Sequence, residues 1–204
     1  MDADALSAEL GGMDIYLLDQ ILKGRFAAGL RLLDVGCGGG RNMIWFARNG
    51  FDVYGCDASE KSVNKVRELG IVPADHILHQ SGAKLPWDDG HFQGVVCNAL
   101  LHVLESRAEF DAVLNETWRV LAPGGVWFAR LATTLSMEQH AEPLGDGRYR
   151  MPGTQWDILP TGLDEMLAYT GRLGGSLLEP IKTVNVQNQR AMATWVMRKQ
   201  PGDQ

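Results

Sequence analysis

A glycine-rich segment, DVGCGGGRN at 34–42, has the composition of a ligand-binding turn. It follows an apolar run and precedes a predicted helix. Glycine suits such a turn because the chain must bend sharply there, and because a ligand can then contact the backbone without meeting a side chain. The first N–H groups of the next helix can bind an anionic group. The segment therefore predicts a cofactor site.

An acidic residue, Asp57, ends the next predicted strand, 17 residues after Gly40. In a doubly wound sheet this position faces the ribose of a bound nucleoside, and two carboxylate oxygens can accept hydrogen bonds from both ribose hydroxyls. The alternative is that Asp57 caps the helix that follows, since aspartate is common at helix N-termini. The pairing of the glycine turn with this carboxylate favours a nucleoside cofactor.

The glycine turn departs from the dinucleotide fingerprint G-x-G-x-x-G. Started at Gly36, the fingerprint requires glycine or alanine where Arg41 stands, and started at Gly38 it meets Met43. The turn also has a carboxylate, Asp34, at the end of the preceding strand, where dinucleotide folds usually have an apolar residue. An NAD-dependent oxidoreductase is therefore kept only as an alternative, beside a protein that binds a nucleoside cofactor without turnover.

The elements that must position these residues alternate along the chain. The predicted strands are 31–36, 52–57, 76–80, 92–98, 126–132, 177–187 and 189–199. The predicted helices are 13–28, 41–49, 59–69, about 107–121 and 161–171. Alternation of this kind is typical of an α/β fold, a doubly wound and mainly parallel sheet covered on both faces. The last two strands are expected to form an antiparallel pair.

A single domain is expected from the length of 204 residues and the hydrophobic content of 45%. Within it we expect an N-terminal helical cap over about 1–29, which could cover a pocket. The stretch 136–160 is rich in Gly, Pro, Arg and polar residues and is interpreted as a long loop or substrate insertion.

Composition excludes several classes of partner. A formal net charge of −6 opposes nucleic-acid binding, and no 18-residue apolar run or signal segment indicates a membrane. Three cysteines, an odd number, disfavour a disulfide framework and lack the paired spacing of a zinc site. We therefore expect a cytoplasmic protein, monomeric or homodimeric, that binds a small molecule and no metal.

Five segments, taken in order, resemble the class I S-adenosylmethionine-dependent methyltransferases. They are LLDVGCGGGRN (32–42), GCDAS (55–59), KLPWDDGHFQGVV (84–96), NALLHVL (98–104) and RVLAPGGVW (119–127). The glycine turn, FARNGFDVYGCDAS and the terminal RAMATWVMRK are most similar to the small tellurite-resistance-type methyltransferases. The resemblance implies a seven-stranded sheet with a reversed last strand and S-adenosyl-L-methionine as cofactor. The implied acceptor is a small molecule, such as a thiol, a metalloid oxyanion or a hydroxyl compound.

The same resemblance implies roles for individual residues. Those expected around the methionine part of the cofactor are Asp34, Gly36, Gly38 and Gly40, with Cys37 and Asn42 beside them. Asp57 would hold the ribose. The adenine would lie against Ala58, Ser81, Gly82 and Ala83, and the pocket would be closed by Asn98 and Leu101. Many relatives have aspartate where Ser81 stands, and a serine hydroxyl accepts hydrogen bonds less strongly.

Methyl transfer from a sulfonium is an in-line displacement, so the protein must mainly align the acceptor and exclude water. A hydroxyl or a protonated amine would need a base, for which His102 is the candidate, whereas a thiolate or an oxyanion would need none. The alternative is that His102 only packs in its apolar run.

Candidates for contact with the acceptor lie outside the glycine turn and its neighbours. Aromatic walls could come from Tyr16, Tyr149 and Trp156, with Asp14 beside Tyr16 on the first helix. Arg41 and Arg190 could bind an anionic substrate or the cofactor carboxylate. Core packing and solvated surface positions are the competing explanations for these residues.

Overall fold

The computed structural model describes residues 2–135, 141–151 and 156–201. Its strands are β1 Arg31–Val35, β2 Asp52–Asp57, β3 Ile77–His79, β4 Phe92–Asn98, β5 Leu121–Ala132, β6 Glu142–Gly145, β7 Arg148–Arg150, β8 Asp157–Ile158, β9 Gly175–Leu177, β10 Lys182–Val186 and β11 Arg190–Lys199. Its α-helices are α1 Ala3–Leu10, α2 Ile15–Leu22, α3 Ile44–Arg48, α4 Glu60–Leu69, α5 Arg107–Arg119 and α6 Leu163–Arg172. Short 3₁₀ turns lie at 74–76 and 101–103.

The main sheet has the strand order β3-β2-β1-β4-β5-β11-β10, and β9 pairs with β11. The five strands from β1 to β5 are parallel to one another, and β11 runs antiparallel to β5. Apolar runs that are buried on both faces favour a parallel sheet of this kind. The α/β fold, the mainly parallel sheet and the antiparallel C-terminal strand are thus confirmed, with β9 as an additional eighth strand.

Two hydrophobic clusters fill the space between the sheet and its helices. In one of them the rings of Trp127 and Trp195 meet edge to face at 5.0 Å. Their indole N–H groups donate to the hydroxyls of Thr117 and Thr170, at 3.1 and 3.0 Å. The buried tryptophans are therefore hydrogen-bonded as well as packed, and β5 and β11 are held firmly together.

The helices near the N-terminus are shorter than predicted. Asp14 accepts a hydrogen bond from the Tyr16 backbone N–H at 2.9 Å and so caps α2, and Gly24 with φ of +68° follows its end. The helix predicted over 13–28 therefore spans only eight residues. The helix α1 precedes it, an element that the sequence analysis did not predict. The helix after the glycine turn is also short, because turns over 38–43 precede α3.

The strand β5 begins earlier than expected. The sequence analysis predicted a helix over about 107–121 and a strand over 126–132, whereas Pro123-Gly124-Gly125 between them lie inside β5. There the register between β4 and β5 shifts, which is how a sheet accommodates an irregular strand entry.

The stretch 136–160 is only partly a loop, and 136–140 and 152–155 lie outside the described residues. Its described part forms a small antiparallel sheet of order β6-β7-β8, so the prediction of a long loop was wrong for these residues. The turn Gly145-Asp146-Gly147, with all three φ angles positive, closes its first hairpin. Across the part of the chain that the structure describes, every helix is too short or too polar to cross a lipid bilayer.

Candidate functional site

A cavity of about 550 Å³ opens where the central parallel strands end. Ligands of open α/β sheets bind at this edge, beside the point where the strand order reverses between β1 and β4. The cavity is lined by Gly36, Asp57, Ala58, Ser59, Gln80, Ser81, Gly82, Ala99, Leu100, Val103, Leu104, Glu105, Glu109 and Val113.

Five residues singled out from the sequence line this cavity: Gly36, Asp57, Ala58, Ser81 and Gly82. The other predicted cofactor residues lie outside its lining. Of these, the buried ones are Asp34, Cys37, Gly40, Asn42, Asn98 and Leu101. The structure therefore brings together the predicted ribose and adenine positions, while much of the predicted methionine subsite lies beneath or beside the cavity.

Asp57 organises the glycine turn through its carboxylate. One oxygen accepts from the Gly38 backbone N–H at 2.8 Å, and the other accepts from the Ser59 N–H at 2.8 Å. The N-cap of α4 is Ser59, whose hydroxyl accepts from Ser62, so Asp57 is not itself the cap residue. A carboxylate has about four lone-pair sites, which leaves each oxygen able to accept from a ligand hydroxyl.

The glycine turn is held against β2. The backbone N–H groups of Gly36 and Cys37 both donate to the carbonyl oxygen of Cys56, at 2.8 and 3.0 Å. Gly36 has φ of +68°, and a Cβ atom there would lie 2.8 Å from Cδ1 of Leu100. A side chain at Gly36 would therefore be strained and would enter the space beside Leu100.

Asp34 is fully buried at the carboxyl end of β1, and its Oδ2 atom has no hydrogen-bond partner among the described residues. Burial raises the pKa of this carboxyl from 3.8 to about 7, since the charged form is deprived of water. The positive charge of Arg41 opposes the rise in pKa, and the negative charge of Asp57 adds to it. The Oδ2 atom of Asp34 therefore has no hydrogen-bond donor among the described residues. A cationic ligand could supply one.

Unsatisfied polar atoms concentrate at this edge of the sheet. Within the described ranges they are Asp34 Oδ2, Asn98 Nδ2, Asn98 Oδ1, His102 Nδ1 and Arg130 Nε. Buried polar groups are normally hydrogen-bonded, so each such group in a native fold needs an explanation. A polar ligand held at the ends of β1, β4 and β5 explains them together.

His102 lies in the 3₁₀ turn that follows β4. Burial lowers the pKa of its imidazole from 6.5 to about 4, and the charge of Arg130 lowers it further. The ring is therefore neutral at pH 7 and can accept a hydrogen bond, but it is a weak base. Its backbone carbonyl accepts from the Leu159 N–H at 2.8 Å, which joins this turn to the end of the small-sheet segment.

The start of α2 is hydrogen-bonded to residues at the same edge of the sheet, where the parallel strands end. The Asp14 backbone N–H donates to Oδ1 of Asn42 at 3.0 Å, and its carboxylate pairs with Arg130 at 3.1 Å and with Arg41 at 4.0 Å. The guanidinium of Arg130 lies over the Tyr16 ring, 4.6 Å from its centroid. Arg41, Asn42 and Tyr16, which the sequence analysis named separately, therefore meet around Asp14.

The remaining candidate substrate residues lie farther along this edge, and none of them lines the cavity. Tyr149 packs in the small cluster that contains Ala132 and Ile158. Trp156 is 75% exposed and precedes β8. Arg190 is exposed at the start of β11, opposite Val186.

Several lining residues escaped the sequence analysis although they follow the strands directly. Gln80 comes after β3, and Ala99 and Leu100 come after β4, where parallel strands present their ends to ligands. Ala99 has φ of +58°, a conformation that alanine seldom adopts and that is often found at functional sites. Arg130 was also missed, although a lone arginine within the apolar run 126–132 was a visible signal.

The three cysteines are buried free thiols. Burial raises the pKa of Cys56 to about 12, and it raises the pKa of Cys37 and Cys97 as well. The thiols are therefore poor nucleophiles. Among the described residues, no group of three or more His, Cys, Asp or Glu side chains could hold a metal ion.

Comparison with known proteins agrees with this geometry. Residues 33–129 match the family model described as a methyltransferase domain. A ubiquinone biosynthesis O-methyltransferase of Sinorhizobium medicae is 36% identical over 101 residues, which are 49% of this chain and 40% of that protein. The chain thus spans less than half the length of this relative.

Two solved structures share the fold. A methyltransferase of Methanosarcina mazei described as SAM-dependent has a TM-score of 0.73 at 17% identity, over 88% of this chain and 97% of its own. The 1,6-didemethyltoxoflavin-N1-methyltransferase of Burkholderia thailandensis, determined with bound 1,6-didemethyltoxoflavin and S-adenosylhomocysteine, has a TM-score of 0.68 at 16% identity, over 97% and 82%. At these identities the likeness establishes the fold.

Proposed function

We propose that this chain, whose residues 33–129 match a family model described as a methyltransferase domain, transfers the methyl group of S-adenosylmethionine to a small-molecule acceptor. The observation that carries the proposal is the cavity at the strand ends, with Asp57 in its wall and the unsatisfied carboxylate of Asp34 behind it. A nucleoside that also bears an amino acid would use both carboxylates, one for hydroxyls and one for an ammonium group. The fold shared with a structure that binds S-adenosylhomocysteine supports this assignment.

The residues fit the cofactor part by part. We infer that Asp57 binds the ribose and that Asp34 and the amide of Asn98 bind the methionine part. Backbone at Gly36, Cys37, Gly38 and Gly40 would lie against the same part, with Asn42 holding the turn under Asp14. The adenine would lie against Ala58, Ser81, Gly82 and Ala83, and Leu101 would support this pocket from the core. The Ser81 hydroxyl oxygen already accepts from the Ala83 N–H at 3.2 Å, so it would offer the adenine a second lone pair.

The bound cofactor would supply an activated methyl group. Transfer of that methyl group to a hydroxyl acceptor would give the methyl ether, S-adenosylhomocysteine and one proton, and the proton would pass to water because His102 is a weak base. The protein's task would be alignment and exclusion of water, for which α2 and the turn at 101–103 are placed. A neutral His102 would accept a hydrogen bond from a hydroxyl acceptor, and its low pKa makes it a better orienting group than base.

Two observations favour different acceptor atoms. The relative of Sinorhizobium medicae is an O-methyltransferase, which favours a hydroxyl acceptor. The sequence resemblance to tellurite-resistance-type methyltransferases keeps a thiol or a metalloid oxyanion as alternatives. The candidates for acceptor contacts remain Tyr16, Arg41, Tyr149, Trp156 and Arg190.

We further propose one domain with a helical cap over 1–29 and an insertion over 136–160. Buried free thiols suit the reducing cytoplasm.

Calorimetric titration with S-adenosylhomocysteine, and separately with NADH, tests the cofactor assignment. We expect saturable binding of S-adenosylhomocysteine alone, weakened by roughly tenfold or more in Asp57→Asn because a hydrogen bond to a charged group is lost. Asp52→Asn, at the other end of the same strand, is the matched control and should bind as the wild type does. A folded wild-type protein that binds no S-adenosylhomocysteine would refute the proposed function.

A further inference from the structure

Arg130 is the one charged residue in the buried part of β5, and its hydrogen-bonding capacity is incompletely used. Its Nη1 atom donates to Asp14 at 3.1 Å, whereas its buried Nε atom has no partner in the described part of the chain. A guanidinium binds carboxylates best through two adjacent N–H groups. The Nε–H group thus has unused donor capacity, and because it is buried under Tyr16 and lies outside the cavity lining, a ligand would reach it by displacing Asp14 or the Tyr16 ring.

The charges around Arg130 also favour an anion. The Asp14 carboxylate is shared by two guanidiniums, those of Arg130 and of Arg41 at 4.0 Å. Two positive charges thus face one negative charge at the start of α2. A ligand with an anionic oxygen would neutralise the remaining positive charge. The site is partly buried, so this charge pairing would be stronger than in water.

The two arginines lie on different sides of the site. Arg41 follows the glycine turn and acts on Asp34, in the predicted methionine subsite. Arg130 lies one strand beyond β4, opposite Asn98 in register, and acts on His102. The Tyr16 ring of α2 covers it. Arg130 therefore belongs to the acceptor side of the site, and Arg41 to the cofactor side.

We propose that Arg130 binds an anionic oxygen of the acceptor, so that the preferred acceptors carry a carboxylate or an equivalent oxyanion close to the atom that is methylated. This inference rests on the proposed function and narrows its acceptor class. Asp14 would act as the internal competitor for Arg130, which it holds until the acceptor binds.

The test uses two probes of matched shape, 2-hydroxybenzoate and 2-hydroxybenzamide, whose carboxylate or amide group is adjacent to the hydroxyl, titrated calorimetrically into protein saturated with S-adenosylhomocysteine. We expect wild-type protein to bind the carboxylate probe at least roughly tenfold more tightly than the amide, as for a hydrogen bond to a charged group. In Arg130→Gln the two affinities should become similar. Arg41→Gln, which alters the other guanidinium at Asp14, should preserve the preference for the carboxylate.

Asp14→Asn supplies a test in the opposite direction. Asparagine caps helices as well as aspartate does, so α2 should keep its start while Arg130 loses its internal anion. The preference for the carboxylate probe should therefore rise several-fold. If Arg130→Gln does not fold, Arg130→Lys keeps the charge and loses the planar fork, and an intermediate preference is expected.

The outcomes separate this inference from the proposed function. Equal binding of the two probes by the wild type, or binding of neither, overturns the inference while leaving the function standing if S-adenosylhomocysteine still binds. A loss of S-adenosylhomocysteine affinity in Arg130→Gln without a change in the probe ratio assigns Arg130 to the cofactor and also overturns it. Failure of the wild type to bind S-adenosylhomocysteine removes the proposed function, and the inference with it.

Discussion

At the scale of single residues, the site combines groups whose ionisation is set by burial rather than by paired charges. The pKa values of Asp34 and His102 are shifted in opposite directions. The carboxyl pKa rises to about 7, and the imidazole pKa falls to about 4. In both cases burial disfavours the charged form. At pH 7 the fold therefore holds a carboxyl that is about half ionised and a neutral imidazole where a cationic cofactor and a polar acceptor are proposed to bind.

Asp34 makes the free energy of unfolding of the ligand-free protein dependent on pH. Its pKa is about 7 in the fold and 3.8 in the unfolded chain, so the folded state binds more protons between these values. Stability must then fall as pH rises from about 4 to about 7, by a few kcal/mol at most. Asp34→Asn removes this cost. We expect it to melt roughly 5 °C or more above the wild type at pH 8, with a smaller difference at pH 5.

Melting curves at four pH values measure this effect, with the exposed Asp88→Asn as control. Asp34→Asn should also lose affinity for S-adenosylhomocysteine, because the partner of the ammonium group is gone. A constant difference in melting temperature between pH 5 and pH 8 would contradict the account of Asp34.

His102 should remain neutral throughout the physiological range. With a pKa near 4 it gains a proton only in acid, and the unfolded chain gains one near 6.5, so this residue lowers stability as pH falls through that interval. NMR of histidine-labelled protein should show one of the five imidazoles unchanged from pH 8 to pH 5.5. The His102→Gln spectrum identifies that signal. An imidazole that titrates near 6.5 and disappears in this variant would refute the prediction.

At the scale of elements, the turn between β1 and α3 sets the shape of the cavity wall. Gly36 and Gly38 both have positive φ, but a Cβ atom at Gly36 would meet Leu100, and one at Gly38 would have no atom within 4 Å. Alanine at either position costs roughly 1 kcal/mol of backbone strain. Gly36→Ala should in addition weaken binding of S-adenosylhomocysteine more than Gly38→Ala does, since its added Cβ atom would displace Leu100, a residue of the cavity wall.

Removing the opposing side chain tests this explanation. The double variant Gly36→Ala with Leu100→Ala should recover much of the lost affinity, because the space that Leu100 occupied becomes free. Calorimetric dissociation constants of the two single alanine variants and the double variant give the comparison. Equal losses in Gly36→Ala and Gly38→Ala would mean that strain alone is responsible.

These elements differ in how far the sequence predicts them. The strands β1, β2 and β4 and the glycine turn follow from local patterns: apolar runs, the positive φ that glycine permits, and a carboxylate at a strand end. The small sheet was missed because its turn Gly145-Asp146-Gly147 lies among polar residues, where the hairpin signal was given too little weight. Contacts such as Arg130 with Asp14 join residues far apart in the chain and depend on tertiary packing, which one sequence does not specify.

At the scale of the whole molecule, α2, the helix of the proposed N-terminal cap, contacts other parts of the fold at both of its ends. Its first turn is joined to the sheet edge through Asp14 and Arg130. Its last turn is joined to the segment between β9 and β10 by Glu179, which contacts Lys23 at 2.6 Å and Arg25 at 3.2 Å. The position of α2, which we propose to cover the acceptor site, thus depends on residues from the C-terminal third of the chain.

Glu179→Gln tests whether this second attachment holds the cap. The Glu179 side chain is only 14% exposed and also accepts from Gln20 at 3.0 Å. Loss of its charge leaves Arg25 without its carboxylate partner and leaves Lys23 paired with Asp19 alone. We expect a loss of roughly 1–3 kcal/mol in the free energy of unfolding. Amide hydrogen exchange should accelerate over α2 more than over α5, because α5 has no contact with this network.

Asp19→Asn is the matched control, since Asp19 contacts the same Lys23 but is 36% exposed, and more exposed pairs contribute less. The affinity for S-adenosylhomocysteine should change little in either variant, because Glu179 is absent from the cavity wall. Unchanged exchange over α2 would show that the attachment at Asp14 is sufficient to hold the cap.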